Sequence, residues 1–529
     1  MRTRARVTAI GLVCLAAVAV FAFTAASAMS TAAPRHGVST KASSARASNT
    51  VIIGKATEAT TLDPAKITAA TDCELCSLVY EQLIGMDGSA HAVPMLASSW
   101  SVSSNGLVYH FKIRKGVKFS NGRLLTPADV VWSLKRIQDP ATGSSGAGYI
   151  PTGTVFSVEG TSGVKAVLKA RAGGFLPILA RACFSILPSK EIVAGTLNPK
   201  LQTLGTGPFQ VTNHVQSQEW DLAARSDYWG GKPRFAKLVL KIMPSDAARV
   251  AALRSGEIDL STFDVPNVQA VLTGISNLQI YSQGSPDPWI LTINRSQSPY
   301  NNLKFRQAIS MALDRRQIRA LAFSGFGTLT GAVPTVQTPY SLPFASLPYS
   351  QFNLAKAQTL IKQSGVSLPV NVKLLVTSAY PEIIAAAQVV KQQLAKISVN
   401  CQLVDVDIGT FIADTFAATA KFEIAFTWIG GFADPSNIMN TFAAIPGLTG
   451  GLDPTLKALA VKANAALGSK RVALYHQIDL YLDKQAYCDF IASHSITFAW
   501  RSDRLGGVTI PKTEPFNMRF KSVWKMYTK

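Results

Sequence analysis

Short apolar runs alternate along this chain with stretches of helical periodicity, and the elements can be laid out from that alternation. Val51-Ile52-Ile53-Gly54 opens as a strand, a polar loop covers 58–64, and Asp72 caps a helix expected over 72–84. Strands at 101–103 and 107–113 are joined by Asn105-Gly106, a strong hairpin signal. Thr126-Pro127-Ala128-Asp129 starts a helix, with a capping hydroxyl, proline at the first helical position and a carboxylate three residues after the cap. Val130, Val131, Leu134 and Ile137 then line one face. A strand at 236–243 precedes a helix capped by Ser245 and stopped by Gly256. A short strand, 291–294, leads into a polar segment at 295–299. Beyond it the order is regular: helices 303–323 and 354–364, strand 370–376, helix 381–397, strand 399–406, a short helix 410–418, strand 422–428, and helices 453–466 and 471–487. Such alternation argues for an α/β lobe. With crossings expected at 295–299 and 498–501, two lobes joined twice predict a protein that closes on a hinge.

The stretch 421–440 draws the most attention. Its aromatic-rich strand ends at Trp428, Gly430 and Gly431 break the pattern, and Phe432, Asp434 and Pro435 begin a turn, with Asp434 expected to organise it. The carboxyl end of a core strand beside backbone without side chains is where α/β sheets hold ligands. A packed tryptophan followed by an ordinary loop would give the same pattern. Trp428, Gly430, Gly431 and Phe432 are therefore candidate ligand-binding residues.

Composition narrows the class. At 529 residues the chain exceeds one core, and 47% hydrophobic against 16% charged residues describes a globular protein. The net charge is +21, but Lys and Arg are scattered singly and no zinc finger, RNA-recognition signature or basic heptad occurs. A solvated basic surface fits this better than a nucleic-acid partner. Arg2, Arg4 and Arg6, an apolar run over 7–26 and the small-x-small site Ala26-Ser27-Ala28 form a secretory signal peptide over 1–28, or an uncleaved anchor. A Ser/Ala/Thr-rich tether follows at 29–50. Export permits disulfides, yet the mature chain holds five cysteines, an odd number, at 73, 76, 183, 401 and 488. Cys73-x-x-Cys76 lacks both the preceding strand of a redox motif and the second ligand pair of a zinc site, so core thiols or one local bridge are expected.

Chemistry is sparse. The six histidines form no His-x-x-x-His pair, and no nucleophile elbow, P-loop or dinucleotide fingerprint stands out. Asp405 and Asp407 share a strand face but read as solvated. No catalytic residue, metal ligand or cofactor is expected. A hydrolase of envelope material would need a carboxylate pair or activated nucleophile that the sequence does not offer.

Tyr80-Glu81-Gln82-Leu83, Ala97-x-x-Trp100, Tyr109-x-Phe111-x-Ile113-Arg114, Gly116-Val117-x-Phe119 and Thr126-Pro127-Ala128-Asp129-Val130 occur in this order, followed by Gly205-Thr206-Gly207-Pro208-Phe209, Tyr228-Trp229-x-Gly231-Lys232-Pro233, Ser255-Gly256-Glu257-Ile258-Asp259 and Phe305-Arg306-Gln307-Ala308-Ile309. This series resembles the extracytoplasmic solute-binding proteins of the peptide/nickel family that serve ABC importers. The resemblance implies a two-lobed periplasmic-binding-protein fold of the type II, large peptide-binding subclass. It places a discontinuous lobe I at 51–293 and 498–529, with an extra subdomain at about 86–204, and lobe II at 294–497. It implies a small organic ligand, a peptide, oligosaccharide or metal chelate, delivered to membrane permease and ATPase subunits by a monomeric receptor outside the cytoplasm, in the periplasm or at the cell surface. A sensory receptor on the same fold is the alternative. In peptide-binding relatives an acid after the strand-end Trp takes the peptide's ammonium; here Gly431 stands in that place. An ammonium end left unpaired there would cost a few kcal/mol, so ligands without a free amino end are expected. Trp289, Trp428, Phe432 and Trp500 are candidate stacking surfaces, and Asn294 a candidate polar contact.

Overall fold

Two strands of unusual length organise the computed structural model, which describes residues 49–67, 69–87, 91–264, 268–416, 420–431, 434–510 and 518–529. The segments expected as signal peptide and tether, up to residue 48, and the candidate Phe432 lie outside the described residues. Ten strands of the large sheet are numbered in chain order: β1 Thr50–Lys55, β2 Phe209–Val215, β3 Glu219–Ala224, β4 Lys237–Ile242, β5 Leu260–Phe263, β6 Leu278–Ile293, β7 Val370–Val376, β8 Val399–Asp405, β9 Ile424–Trp428 and β10 Cys488–Arg501. Their spatial order is β8-β7-β9-β6-β10-β5-β1-β4-β3-β2. β6 and β10 pair antiparallel from Leu278–Arg501 to Thr292–Cys488, and so run through both halves of the molecule.

The halves have separate cores. One gathers Val51, Ile53, Phe209, Leu238, Ile496, Phe498 and the tail residues Phe520 and Met526. The other is built on Leu291, Ile309, Leu374, Val390, Ile424 and Phe426. A four-stranded antiparallel sheet, residues 97–102, 108–113, 155–159 and 163–167, stands apart from the large sheet in the first half.

Local chemistry accounts for the elements, including those that differ from expectation. Helix α1, Ala70–Val79, ends five residues before 84, and Asp72 sits in its first turn, accepting the Ala69 N–H at 3.1 Å, so that Asp72 is not the cap residue itself. Helix α2, Pro127–Gln138, has its full capping box: Thr126 Oγ1 accepts from the Asp129 N–H at 3.4 Å, and the Asp129 carboxylate accepts from the Thr126 N–H at 3.0 Å. The periodic run 303–323 forms two helices, α3 Leu303–Ala312 and α4 Arg315–Ala322, because the Asp314 carboxylate caps the second by accepting the Gln317 N–H at 3.0 Å.

The largest difference is β6, expected as a strand of four residues and observed with sixteen. Pro286 and Pro288 hid it, since proline argues against a central strand. They are tolerated because the ladder opens there: Gly284 pairs with Ser495 and Pro288 with Ser493, leaving three residues of β6 opposite His494 alone. The pairing of β6 with β10 is interrupted at 284–288 and 493–495, while both strands continue up to or through the segments expected as crossings, 295–299 and 498–501. All five described cysteines are free thiols, which leaves the Cys73–Cys76 pair as core residues without a bridge.

Candidate functional site: the cleft over the hinge strands

Strand directions locate the site. β5 runs antiparallel to β10, and β10 antiparallel to β6, so β5 and β6 point the same way, from the first half towards the second. β9 runs antiparallel to β6, and its carboxyl end points back. Phe263 closes β5 at the level of Thr497 and Ser282, while Trp428 closes β9 at the level of Trp289. The carboxyl edges of the two halves therefore face each other across the opened ladder. Its floor is residues 283–288 and His494. Ligands of open α/β sheets gather at such edges.

The first half supplies a charged wall. Lys55, the last residue of β1, donates to the Glu74 carboxylate of α1, and these side chains are only 5% and 3% exposed. Arg519, from the tail, lies 3.5 Å from Glu74 and donates to Asp264 just past β5, with contacts of 2.9 and 3.1 Å. Burial and the Arg519 charge pull the Lys55 pKa down to about 7. Lost hydration works to raise Asp264 although its side chain is 60% exposed, but the two Arg519 contacts outweigh this and hold it below the usual carboxylate range.

The second half supplies an aromatic wall. The Trp428 ring meets Tyr380 edge to face at 6.1 Å and lies 5.9 Å from the His494 ring. Tyr380 is the N-cap residue of helix α5, Pro381–Ala395. Gly430 is exposed, whereas Gly431 is buried against the hinge. A Cβ on Gly431 would stand 2.1 Å from the Pro286 carbonyl oxygen, so no side chain fits there.

The floor joins them. The Gly431 N–H donates to Asp287 Oδ1 at 2.6 Å, and the Ser285 hydroxyl donates to Oδ2 of the same carboxylate. Burial raises the Asp287 pKa, with these two bonds opposing it. His494 stacks on Trp289 at 3.6 Å, and burial pushes its pKa down to about 3. Gln283 is wholly buried, and neither atom of its amide has a hydrogen-bond partner among the described residues.

The cleft is also bridged away from the hinge. The Gly173 N–H donates to the Asn464 carbonyl at 2.6 Å, and a Cβ on Gly174 would stand 3.3 Å from the Asp434 carboxylate. Asp434 accepts the Ser436 N–H at 3.0 Å, organising its turn, and pairs with Arg471 at 2.7 Å.

The sequence candidates divide accordingly. Trp428, Gly430 and Gly431 lie at the cleft. Trp289 is 1% exposed and stacks on both Phe323 and His494, so it is a support beneath the site and offers no open face. Trp500 pairs with Leu260 and Gln279, six residues or roughly 20 Å along β10 from His494 at strand rise, and packs on the first core. Asn294 is 2% exposed and lies beyond the other end of β6; its amide donates to the Phe422 carbonyl at 2.7 Å and its oxygen accepts from Ser296. Both lie at or just past the ends of strands longer than the sequence suggested, away from the cleft over 283–288 and His494. The expectation that the cleft lacks an acid near Gly431 also changes, because Asp287 reaches its amide from the neighbouring strand. Lys55, Glu74, Asp264, Gln283, Asp287, His494 and Arg519 were not singled out by sequence; the Pro-Asp-Pro run at 286–288 was their one local sign. Among the described residues no group of three or more His, Cys, Asp and Glu is placed to hold a metal ion. Two shallow depressions, about 410 Å³ beside His110 and Glu159 and about 600 Å³ beside Asn301 and Asn371, are open to solvent and lie away from this cleft.

Two α/β halves on paired hinge strands, their carboxyl edges facing over a polar floor, define a hinged solute receptor of the periplasmic-binding-protein class. Residues 91–447 match the family described as bacterial extracellular solute-binding proteins, family 5 Middle, and the chain belongs to it. It is 27% identical over 377 residues to the glutathione-binding protein GsiB of Escherichia coli K12, covering 70% of this chain and 72% of that one. The fold matches the ABC transporter substrate-binding protein CtaP of Listeria monocytogenes with a TM-score of 0.82 at 22% identity, over 90% of this chain and 99% of that one. HbpA2 of Haemophilus parasuis matches with a TM-score of 0.79 at 24% identity, over 91% and 100%. The chain is a substrate-binding receptor of an ABC importer, in a family that works outside the cytoplasm. No helix among the described residues is long and apolar enough to cross a membrane.

Proposed function

We propose that this chain captures small peptides or peptide-like molecules, glutathione among them, in the cleft over β6 and β10, and passes them to the permease and ATPase subunits of its importer. The observation that carries this reading is the meeting of a charged edge and an aromatic edge over the polar floor at 283–288. A peptide is charged at its ends and carries apolar side chains, and such a cleft offers both kinds of contact. The named ligand of GsiB, a tripeptide, supports the size and chemistry.

The work is binding without chemistry, by a monomer exported across the membrane. Lobe I is assigned to 51–283 and 496–529 and lobe II to 289–492, with flexing points at 284–288 and 493–495 in place of the division at 293 and 498 that the sequence suggested. The free energy of closing the lobes subtracts from the intrinsic affinity. Native mass spectrometry of the full exported chain, purified without refolding, tests the reading. A bound species that fragments to amino-acid masses is expected. Hexose fragments, or a metal retained with an organic chelator, would replace the peptide by those ligands.

A further inference from the structure

We infer that the outward face of the helical layer formed by α3, α4, α5 and the helix Leu354–Gln363 is a docking surface for an anionic lipid bilayer. The inference goes beyond ligand capture and holds whichever molecule the cleft takes.

Where the charge lies is the first argument. The sheet of the second half carries a helical layer on each side. Leu291, Leu374 and Phe426 pack with Ile309, Ile318, Ile361 and Val390 of the four helices. Their neighbours Ile290 and Leu375 turn the other way. Ile290 packs with Leu456, Ile478 and Leu482 of the helices Pro454–Ala465 and Gly468–Gln485, and Leu375 packs with Phe411. Residues 301–400, which include the first layer, contain ten Lys and Arg against two acids, whereas residues 401–487, which include the second, contain six against eight. The cation excess of this half therefore comes from one side of the sheet. A basic charge spread evenly over the surface would not divide in this way.

The state of those cations is the second argument. Lys304, Arg316, Lys356, Lys362, Lys391 and Lys396 are exposed, and no ion pair among the described residues includes any of them. Of the remaining four, Arg306 and Arg315 are buried, Arg319 donates to the Gly327 carbonyl at 3.2 Å, and Lys373 lies on β7 outside the layer. The two acids do not balance the face. Asp314 is engaged in capping α4, and Glu382 is half-buried in the first turn of α5, where burial works against its charge. Three side-chain bonds join the helices into one surface. The Gln358 amide donates to the Lys396 carbonyl at 3.3 Å, the Gln393 amide to Gln317 Oε1 at 2.8 Å, and the Asn302 amide to the Ser364 carbonyl at 2.9 Å. Like charges gathered on one rigid face repel each other, and an anionic partner relieves that repulsion.

Apolar side chains choose among anionic partners. Leu303, Leu321 and Phe352 are exposed on the same layer. Leu303 stands beside Lys304, Leu321 lies in the last turn of α4, and Phe352 precedes Asn353, whose N–H donates to the Met311 carbonyl at the end of α3. A soluble polyanion makes no use of such groups. The headgroup boundary of a bilayer takes up apolar side chains set among basic ones. Each Lys or Arg held close to an anionic bilayer adds about fivefold to partitioning. Lying on the bilayer keeps the receptor within reach of a membrane importer.

The test is co-sedimentation of the full exported chain with two kinds of vesicle, phosphatidylcholine alone and a mixture with phosphatidylglycerol. Partitioning to the mixed vesicles should be stronger by about tenfold or more at low salt, and the preference should vanish when salt screens the charges. Reversing three cations of the face in one variant (K304E, K362E, K396E) should abolish the preference. Reversing three exposed lysines of the opposite layer (K457E, K462E, K470E) changes the net charge equally and should keep it within about threefold. All six side chains are exposed, and thermal unfolding checks that both variants fold. Leu321→Ser combined with Phe352→Ser should weaken binding to the mixed vesicles several-fold with the salt dependence unchanged. Equal partitioning of the wild type to both vesicles overturns the inference. So does an equal loss in the two lysine variants, which would make net charge the cause. Unchanged binding of the Leu321 and Phe352 variant also overturns it, since the face would then suit any polyanion.

Discussion

The two walls of the cleft are equivalent in topology and opposite in chemistry. Each is the carboxyl edge of parallel strands, yet β1 ends in Lys55 and β5 is followed by Asp264, while β9 ends in Trp428 with Gly430 and Gly431 just beyond. The charged wall completes its own pairs through Glu74 and Arg519, so it is rigid before any ligand arrives. The aromatic wall offers ring surface with little directionality. Neither alone defines an orientation for a bound molecule. The floor between them holds the Gln283 amide, neither atom of which has a hydrogen-bond partner among the described residues.

The comparison breaks most readily on the charged side. Glu74→Leu leaves the Lys55 and Arg519 cations without their shared acid in a site 5% exposed at Lys55. Removing one partner of a buried pair costs about 3–5 kcal/mol, and a drop of that size is expected in the unfolding free energy obtained from denaturant titration. A loss below about 1 kcal/mol, within the range of surface pairs, would mean that the wall is not a coupled network.

On the aromatic side the adjacent glycines should separate sharply. A Cβ on Gly431 would meet the Pro286 carbonyl oxygen at 2.1 Å and its Cβ at 2.9 Å, while one on Gly430 meets only the Trp428 ring at 3.8 Å. Gly431→Ala is therefore expected to cost about 2 kcal/mol through overpacking against the hinge. Gly430→Ala should stay within about 0.5 kcal/mol, as exposed substitutions do. Thermal unfolding of the two variants side by side checks this, and equal shifts would mean that Gly431 does not pack on Pro286.

The same two walls explain what could be read from sequence. Trp428 and the glycines after it are contiguous, and a strand that stops at side-chainless backbone is a local pattern. The α/β order of 370–428 was legible for the same reason, since hydrophobic period is a local property. The charged wall is assembled from positions 55, 74, 264 and 519, brought together only by strand order. Single Lys, Glu, Asp and Arg residues at those places look like solvated surface. The floor was hidden differently: Pro286 and Pro288 spoke against a strand, and only the pairing with β10 shows that the ladder opens around them. Trp500 and Asn294 stand at or just past the ends of β10 and β6, strands that run much further than the local pattern suggested.

The smallest expected effect concerns the residue where the walls and floor meet. His494 is packed on Trp289 at 3.6 Å and faces Trp428 at 5.9 Å, and burial holds its pKa at about 3 with the Asp264 charge opposing. The unfolded chain would take up a proton near pH 6.5 and the folded chain would not. Between those values the unfolded state binds more protons, so stability rises with pH and is lost as pH falls below 6.5. The slope is about 1.4 kcal/mol per pH unit at most. The carboxylates whose pKa is raised, Asp287, Asp479 (about 7) and Asp489 (about 6), give the opposite slope, so the His494 contribution is read as the difference between variant and wild type, between pH 6.5 and 5.5. His494→Phe keeps a ring on Trp289 and removes the proton site. Over that unit of pH the variant should lose roughly 1 kcal/mol less than wild type in urea midpoints converted to free energy. Parallel curves would mean that His494 takes its proton in the folded chain, and that the meeting point of the walls is wetter than its packing on two tryptophans implies.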